Sequence, residues 1–363
     1  MTGAGKRSGP LAGLRCVEFA AMGPGPHAGM LLADLGAEVL RIERPDPAAF
    51  TVNPVTERGR GRIVLDLRQP EAVARALEII GHADVVFEGL RPGVMERLGL
   101  GPDVAMAANP RLIYARMTGW GQDGPLARRA GHDLTYLAIT GALHALAREG
   151  ELPVPPMNLV GDFGGGSLFL VLGILAALWE RERSGLGQVI DAAIVDGVAA
   201  LLAGMVGHVH TDSLSLQRGK NVLAGSSNFY RVYLCKDGRE YAVAAVEPQF
   251  YRALLERIGA PVEWVEDQND PARWPERSAA MAAIFLTRTR DEWTAILEDS
   301  DACGAPVLEF AEVPAHPQTA ARLGYVLHEG LVQQAPAPRF SRTPGAIGAE
   351  EPGDAMVQRW MQG

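Results

Sequence analysis

Short apolar runs alternate with helical stretches over the first 120 residues, and no other feature of the chain limits its fold as much. Residues 14–19 read as a buried strand. They lead into Gly23-Pro24-Gly25-Pro26 and then a helical stretch, residues 27–36, with proline near its start and glycine at its end. Strands are expected at 38–43, 62–67, 84–88 and 111–117, with a helix over 71–80. Strands separated by helices cannot pair as hairpins. They pair in parallel through right-handed crossovers, and the helices cover both faces of the sheet. The expected fold is therefore α/β.

The rest of the chain differs. Residues 134–207 read as mostly helical, and residues 188–193 as a short strand or helix entry. Residues 168–179 form the most apolar run and end in Glu180-Arg181-Glu182-Arg183; the run is short for a bilayer and is expected to be a buried core helix. Residues 208–227 are polar and read as a connection between domains. Beyond them, strands at 228–234 and 240–246 flank a Lys236-Asp237-Gly238 turn. Helices follow to about 297, and Pro314, Pro317, Pro336, Pro338 and Pro344 mark an extended tail. The domain expectation is 1–207 as a large domain, 208–227 as the connection, 228–325 as a small α/β domain, and 326–363 as a segment returning to the large domain.

Composition excludes some functions. A net charge of -9 argues against general nucleic-acid binding, which needs a basic face. The three cysteines, Cys16, Cys235 and Cys303, are widely spaced and odd in number. They suggest a reducing compartment without a disulfide framework, and no Cys/His spacing resembles a metal site. Residues 1–10 read as a loose polar leader without the apolar stretch of a signal peptide, which leads to a cytoplasmic expectation.

Three patterns carry possible chemistry. Gly23, Gly25 and Ala28 fit a G-x-G-x-x-A turn, and Glu43 stands at the spacing of a dinucleotide fingerprint. Pro24 and Pro26 speak against that ligand, because a pyrophosphate there is held by backbone N–H groups that proline lacks. Arg41, Arg44, Arg58, Arg60, Arg62 and Arg68, followed by Arg91 and Arg97, suit a phosphorylated ligand or a solvated charged face. Finally, His132 in Gly131-His132-Asp133-Leu134-Thr135-Tyr136 and Asp162 in Asn158-Leu159-Val160-Gly161-Asp162-Phe163-Gly164-Gly165-Gly166 both stand in glycine-rich junctions. Such a pair could take a proton from one face of a carbon acid and return one to the other. Asp162 could instead be a nucleophile. Each also has a structural reading, His132 as a satisfied histidine and Asp162 as a cap or turn residue. The three glycines would let a ligand lie against the backbone. Glu247, in Val246-Glu247-Pro248-Gln249-Phe250, stands where a helix N-cap is expected.

These stretches, together with Leu32-Ala33-Asp34-Leu35-Gly36-Ala37, Arg41-Ile42-Glu43-Arg44-Pro45, Arg91-Pro92-Gly93, residues 111–122 and Gly187-Gln188-Val189-Ile190-Asp191-Ala192, resemble the family III CoA-transferase superfamily. Within it the chain is similar to the α-methylacyl-CoA racemases. The resemblance implies a Rossmann-like large domain with a small α/β domain, and an interlocked homodimer whose active site lies between one chain's large domain and the other's small domain. It implies that Arg44, Leu65, Asp66, Leu67, Arg68, Arg91, Arg97, Gly131 and Tyr136 hold the CoA moiety. It makes His132 and Asp162 the acid/base pair, with Glu247 from the partner chain orienting His132 and with Asp133 and Asn158 shaping the site. The implied substrate is a 2-methylacyl-CoA thioester, epimerised through an enolate whose oxygen backbone N–H groups near Asp162 and Gly164 would hold. No cofactor beyond that CoA, no metal, no nucleic acid and no membrane is expected. In the transferases of the superfamily, the matching aspartate attacks the acyl-CoA instead; these generally lack the histidine and glutamate found here. Arg231 stands where close racemases carry an acid, and its forked donors suit an acyl chain bearing a carboxylate.

Overall fold

The structure is a computed structural model that describes residues 7–46, 53–212 and 214–362. The chain divides into two units. The first comprises Met1–Thr140, Pro156–Leu201 and Leu323–Gly363, and the second Gly141–Pro155 and Leu202–Arg322.

The first unit is built on a parallel sheet of β1 (Arg15–Phe19), β2 (Glu38–Glu43), β3 (Gly61–Val64), β4 (Val85–Glu88), β5 (Ile113–Thr118) and β6 (Val189–Ala193). Their order is β3-β2-β1-β4-β5-β6, and Glu351–Pro352 adds a further parallel edge beside β3. This is the doubly wound order, which reverses between β1 and β4. Apolar runs predict such strands because sheets covered on both faces bury both sides of each strand. Val17, Val39, Leu40, Val85, Val86, Ile113 and Tyr114 are fully buried. The helices of this unit include α1 (Pro24–Asp34), α2 (Pro70–Gly81), α3 (Val94–Arg97), α4 (Pro102–Ala108) and α5 (Asp133–Ile139).

Several expectations need correction here. Helix α1 begins at Pro24 rather than at residue 27, because proline's fixed φ suits a first turn and its missing N–H costs nothing there. Strand β3 ends at Val64, where Asp66 Oδ1 accepts the Arg68 N–H and turns the chain. From Arg7 onward the leader is tied down: Arg7 Nη1 donates to the Gly59 carbonyl at 2.6 Å. The expectation for residues 1–6 lies outside the described residues. The apolar run forms the helix Leu168–Ser184, but only one face is buried, through Leu170, Val171, Ile174, Ala177 and Arg181. Leu172 is 59% and Trp179 70% exposed, so this is a half-buried helix rather than a core helix. With the segment before it, Leu159–Ser184 is long and apolar enough to cross a membrane by length and composition alone.

The tail is not merely extended. Tyr325–His328 and Leu331–Gln334 form an antiparallel hairpin, and Gly353–Gln362 is a helix. That helix places Met356, Val357 and Trp360 in the core beside Val17, Leu40 and Val86. The prolines that mark the tail as extended end at Pro344, short of this helix, and none falls within it.

The second unit holds an antiparallel sheet of Tyr230–Leu234, Glu240–Ala244 and Gly304–Pro306. It packs on helices Pro248–Ile258, Trp274–Phe285 and Arg290–Leu297 around Phe229, Tyr241, Tyr251, Phe285 and Trp293. Residues 141–155 and 202–207, expected in the large domain, fall in this unit. Asn221 explains part of the difference: it is buried, and its side-chain N–H donates to the Ala145 carbonyl at 3.4 Å. The stretch 208–227, expected as a connection, also belongs here, and Ser227 is fully buried.

Candidate active site

Ligands of doubly wound sheets bind beyond the carboxyl ends of the strands, where the strand order reverses. A cavity of about 1100 Å³ opens there in the first unit. Its walls are the segments that follow β1, β2, β3, β4 and β5, among them Met22-Gly23, Arg44, Leu65 to Arg68, Leu90 to Pro92 and Trp120. The volume exceeds that of an ordinary small-ligand pocket. Arg44, Leu65, Asp66, Leu67, Arg68, Arg91, Gly131, His132, Tyr136 and Asp162 all line it. Arg97 does not: it is exposed outside the lining and its guanidinium lies near Gly93.

Most of the arginine cluster serves the fold. Arg41 and Arg60 share the buried carboxylate of Glu18 at 2.5 and 2.6 Å. Arg58 meets Asp34 at 2.5 Å, with both side chains buried. Arg62 pairs with Glu57 at 2.8 Å. The guanidinium groups of Arg41, Arg58 and Arg60 are enclosed and committed to their partners, because stripping either charge would leave the other buried and alone. Arg62 is partly exposed and, like Arg41, lines the cavity. Sequence alone could not separate these arginines from Arg44 and Arg91, which are exposed along the cavity. Arg68 is exposed too, and its Nε meets Asp66 at 2.7 Å.

A residue missed by sequence reasoning fixes the loop that carries Arg91. Arg116 reaches from β5 to Glu88 at the end of β4 (3.2 Å) and to Glu96 on α3 (2.8 Å). Glu88 also accepts the Leu90 N–H at 2.6 Å, and burial pushes its carboxyl up to about 7.

Asp162 lies in a π-helical segment, Leu159–Ser167, that runs directly into the long apolar helix. The wide turn is visible in the Phe163 N–H, which donates to the Asn158 carbonyl five residues back at 3.1 Å. Such turns are rare and concentrate at functional sites. The glycines explain how it packs. A Cβ at Gly165 would lie 2.6 Å from Val198 Cγ2, and one at Gly166 3.1 Å from Pro24 Cβ. Their role is thus close helix packing, not the ligand access expected from sequence. Gly161 admits the carboxylate of Asp133, which accepts the Asp162 N–H at 2.7 Å. That bond corrects another expectation: the Asp162 N–H is already engaged and is not free to hold an enolate oxygen. Gly164 stands inside the same turn, where N–H groups close the helical rings.

The surroundings of Asp162 suit a group that keeps a proton. Burial, and then the Asp133 charge, push its carboxyl up to about 6, against the pull of His132 and a hydrogen bond from Asn158. Asp133 and Asn158 are therefore in contact with Asp162, although neither lines the cavity. Burial also pushes Asp133 up, against the N–H groups of Asp162 and Gly161. His132 caps α5 in extended backbone and is exposed; its own N–H donates to Thr135 Oγ1 at 3.1 Å. Tyr136 lies edge-on to Trp120 with ring centres 4.6 Å apart. Gly119 and Gly131 leave room for it, since a Cβ at either would overlap its ring. Burial and the charges of Asp162 and Asp133 push its hydroxyl up to about 12.

Glu247 stands in the second unit as the N-cap of Pro248–Ile258, exposed and with no side-chain capping bond. Arg231 is half-buried on Tyr230–Leu234, with Nη1 3.5 Å from the Gly225 carbonyl.

Residues 11–354 match the family model for CoA-transferase family III. The chain belongs to CoA-transferase family III. It is 43% identical over 341 residues to the α-methylacyl-CoA racemase of Mus musculus, covering 94% of this chain and 89% of that protein. The α-methylacyl-CoA racemase of Homo sapiens is 42% identical, over 92% of this chain and 87% of its own length. A solved CAIB/BAIF family protein from Brucella suis superposes with a TM-score of 0.80 at 27% identity, covering 98% of this chain and all of that one (100%). The α/β fold with its large parallel sheet is thus the fold of the family.

Proposed function

We propose that this chain is an isomerase that interconverts the R and S epimers of 2-methylacyl-CoA thioesters. One observation carries the reading: His132 and an Asp162 whose carboxyl is raised to about 6 line the same cavity as Arg44 and Arg91. The identity to racemases supports it. The CoA phosphates lie along Arg44, Arg68 and Arg91, with Leu65, Asp66, Leu67, Gly131 and Tyr136 completing the wall. The thioester carbonyl acidifies the α-carbon. In the S-to-R direction His132 takes the α-proton and leaves an enolate, and the protonated Asp162 delivers a proton to the opposite face. In the reverse direction the roles exchange. Each step moves one proton, so the reaction draws on no cofactor beyond the CoA of the substrate. A cytoplasmic site of action is part of this reading, and the three free cysteines suit a reducing compartment.

Turnover in deuterated water should place deuterium on the α-carbon, detected by mass spectrometry of the recovered thioester, with no carboxylic acid acceptor required. Turnover that needs an acceptor acid and stops on trapping Asp162 with hydroxylamine would replace this reading by CoA transfer.

The assembly proposed is a homodimer in which Glu247 of the partner subunit orients His132. Co-expressing His132→Ala and Glu247→Ala chains tests it, because only a mixed dimer then contains one intact site. Random pairing makes about half of the dimers mixed, so about a quarter of wild-type activity should return. No recovery would place Glu247 outside this role.

A further inference from the structure

We propose that His27, a residue outside the cavity wall, is a positioning residue that sets the place of Asp162 by holding the π-helical turn. This rests on the acid/base reading of Asp162 given above. A π turn is an α-helix with one residue too many. If it relaxed to an α turn, the residues before it would swing by about 100° around the helix axis. Something outside the turn must oppose that relaxation, and Phe163, the neighbour of Asp162, is where the opposition is found.

Phe163 is held at three points. Its N–H closes the wide turn on the Asn158 carbonyl at 3.1 Å. Its ring stacks on the imidazole of His27, with centres 4.3 Å apart and planes at 24°. Its carbonyl accepts the Leu168 N–H and also the Ser167 hydroxyl, the latter at 3.1 Å. Ser167 is wholly buried, and its Oγ lies 2.6 Å from His27 Nδ1. The hydroxyl proton is spent on the Phe163 carbonyl, so the proton of the short bond belongs to His27 Nδ1. A continuous relay results: imidazole N–H to serine oxygen, serine O–H to the Phe163 carbonyl. Burial, and then the Arg60 charge, lower the pKa of His27, so the ring donates as a neutral imidazole.

Helix α1 contacts the same turn a second time. Gly23, its N-cap, faces the Asp162 carboxyl so closely that a Cβ there would lie 3.0 Å from Oδ2. One helix therefore gives the carboxyl its space and, one turn later, pins the residue beside it.

Three variants test the inference. His27→Phe keeps a ring on Phe163 and removes the donor, Ser167→Ala removes the relay, and His27→Asn keeps a donor near Nδ1. The readouts are kcat for α-deuterium exchange, KM for the acyl-CoA, and the apparent pKa of the pH–rate limb that Asp162→Asn abolishes. In His27→Phe and Ser167→Ala, kcat should fall about 10- to 100-fold with KM changed by no more than about twofold, as for a misplaced reacting group. The Asp162 limb should move, and His27→Asn should recover part of both effects. Folded variants with an unchanged kcat and limb would overturn the inference. So would failure of His27→Asn to recover either effect, or failure of all three to fold, since the inference requires a folded protein with a displaced carboxyl. Wild-type protein run in parallel separates the two ideas: no exchange in wild type sinks the racemase reading itself.

Discussion

Asp162→Asn will cut the rate of α-proton exchange by about 10²–10⁴-fold, the usual contribution of a placed acid or base, while making the protein more stable near neutral pH. The two effects have one origin. Burial and the Asp133 charge raise the Asp162 carboxyl from 3.8 to about 6. A carboxyl that binds its proton more tightly folded than unfolded stabilises the fold only while protonated. Its contribution is complete below the unfolded pKa and is lost as pH rises through about 6. Asparagine never ionises, so it escapes that loss. Denaturation midpoints of wild type and variant should therefore meet near pH 3.5 and separate by pH 7.5, with the variant ahead. A wild type that is the more stable protein at pH 7.5 would mean that Asp162 is not held above its ordinary range. The activity of the neutral acid should fade over the same interval in the direction where Asp162 donates.

The second large effect lies in two glycines that act on the same turn with opposite consequences. A Cβ at Gly161 would lie 2.2 Å from Asp133 Oδ2, which is the free end of a side chain and can swing away. Gly161→Ala should then keep its fold but release the Asp162 N–H, with a loss in kcat of about 10²-fold from misplacement. A Cβ at Gly197 would lie 1.9 Å from the Gly165 carbonyl oxygen, which is backbone. No rotamer relieves that overlap, and Gly197→Ala should cost about 1–3 kcal/mol of stability by forcing the helix Ile194–Leu201 off the π segment. Thermal melts and exchange rates measured on both variants check the contrast. A Gly161→Ala protein of unchanged kcat would show that the Asp133 clamp does not govern Asp162.

The parallel sheet was legible because its strands are buried on both faces and so read as apolar runs; β2 lies where its sequence places it. His132, Asp162 and most of the expected ligand wall were legible only through the resemblance, since each has a plain structural reading alone. The π turn was not legible. Its period matches neither of the two spacings that pattern analysis reads, and its glycines resemble a loop. Arginine is equally ambiguous in sequence. Arg60 and Arg91 are the same letter, yet one is enclosed with Glu18 and the other faces the cavity. The boundary between units was obscured because residues 141–155 look like their helical neighbours and are claimed by Asn221, more than seventy positions later.

The first unit is assembled from three separate stretches of chain, with 202–322 and 141–155 given to the other. Its core is closed by Trp360, whose carbonyl meets Arg15 across 345 positions of sequence. During synthesis the strands that frame the cavity are made long before the helix that seals them. Until that helix is made, Leu40 and Ile42 of β2 have only Ala76, Ile79, Ile80 and the other earlier members of their cluster to pack on, and the core stays incomplete.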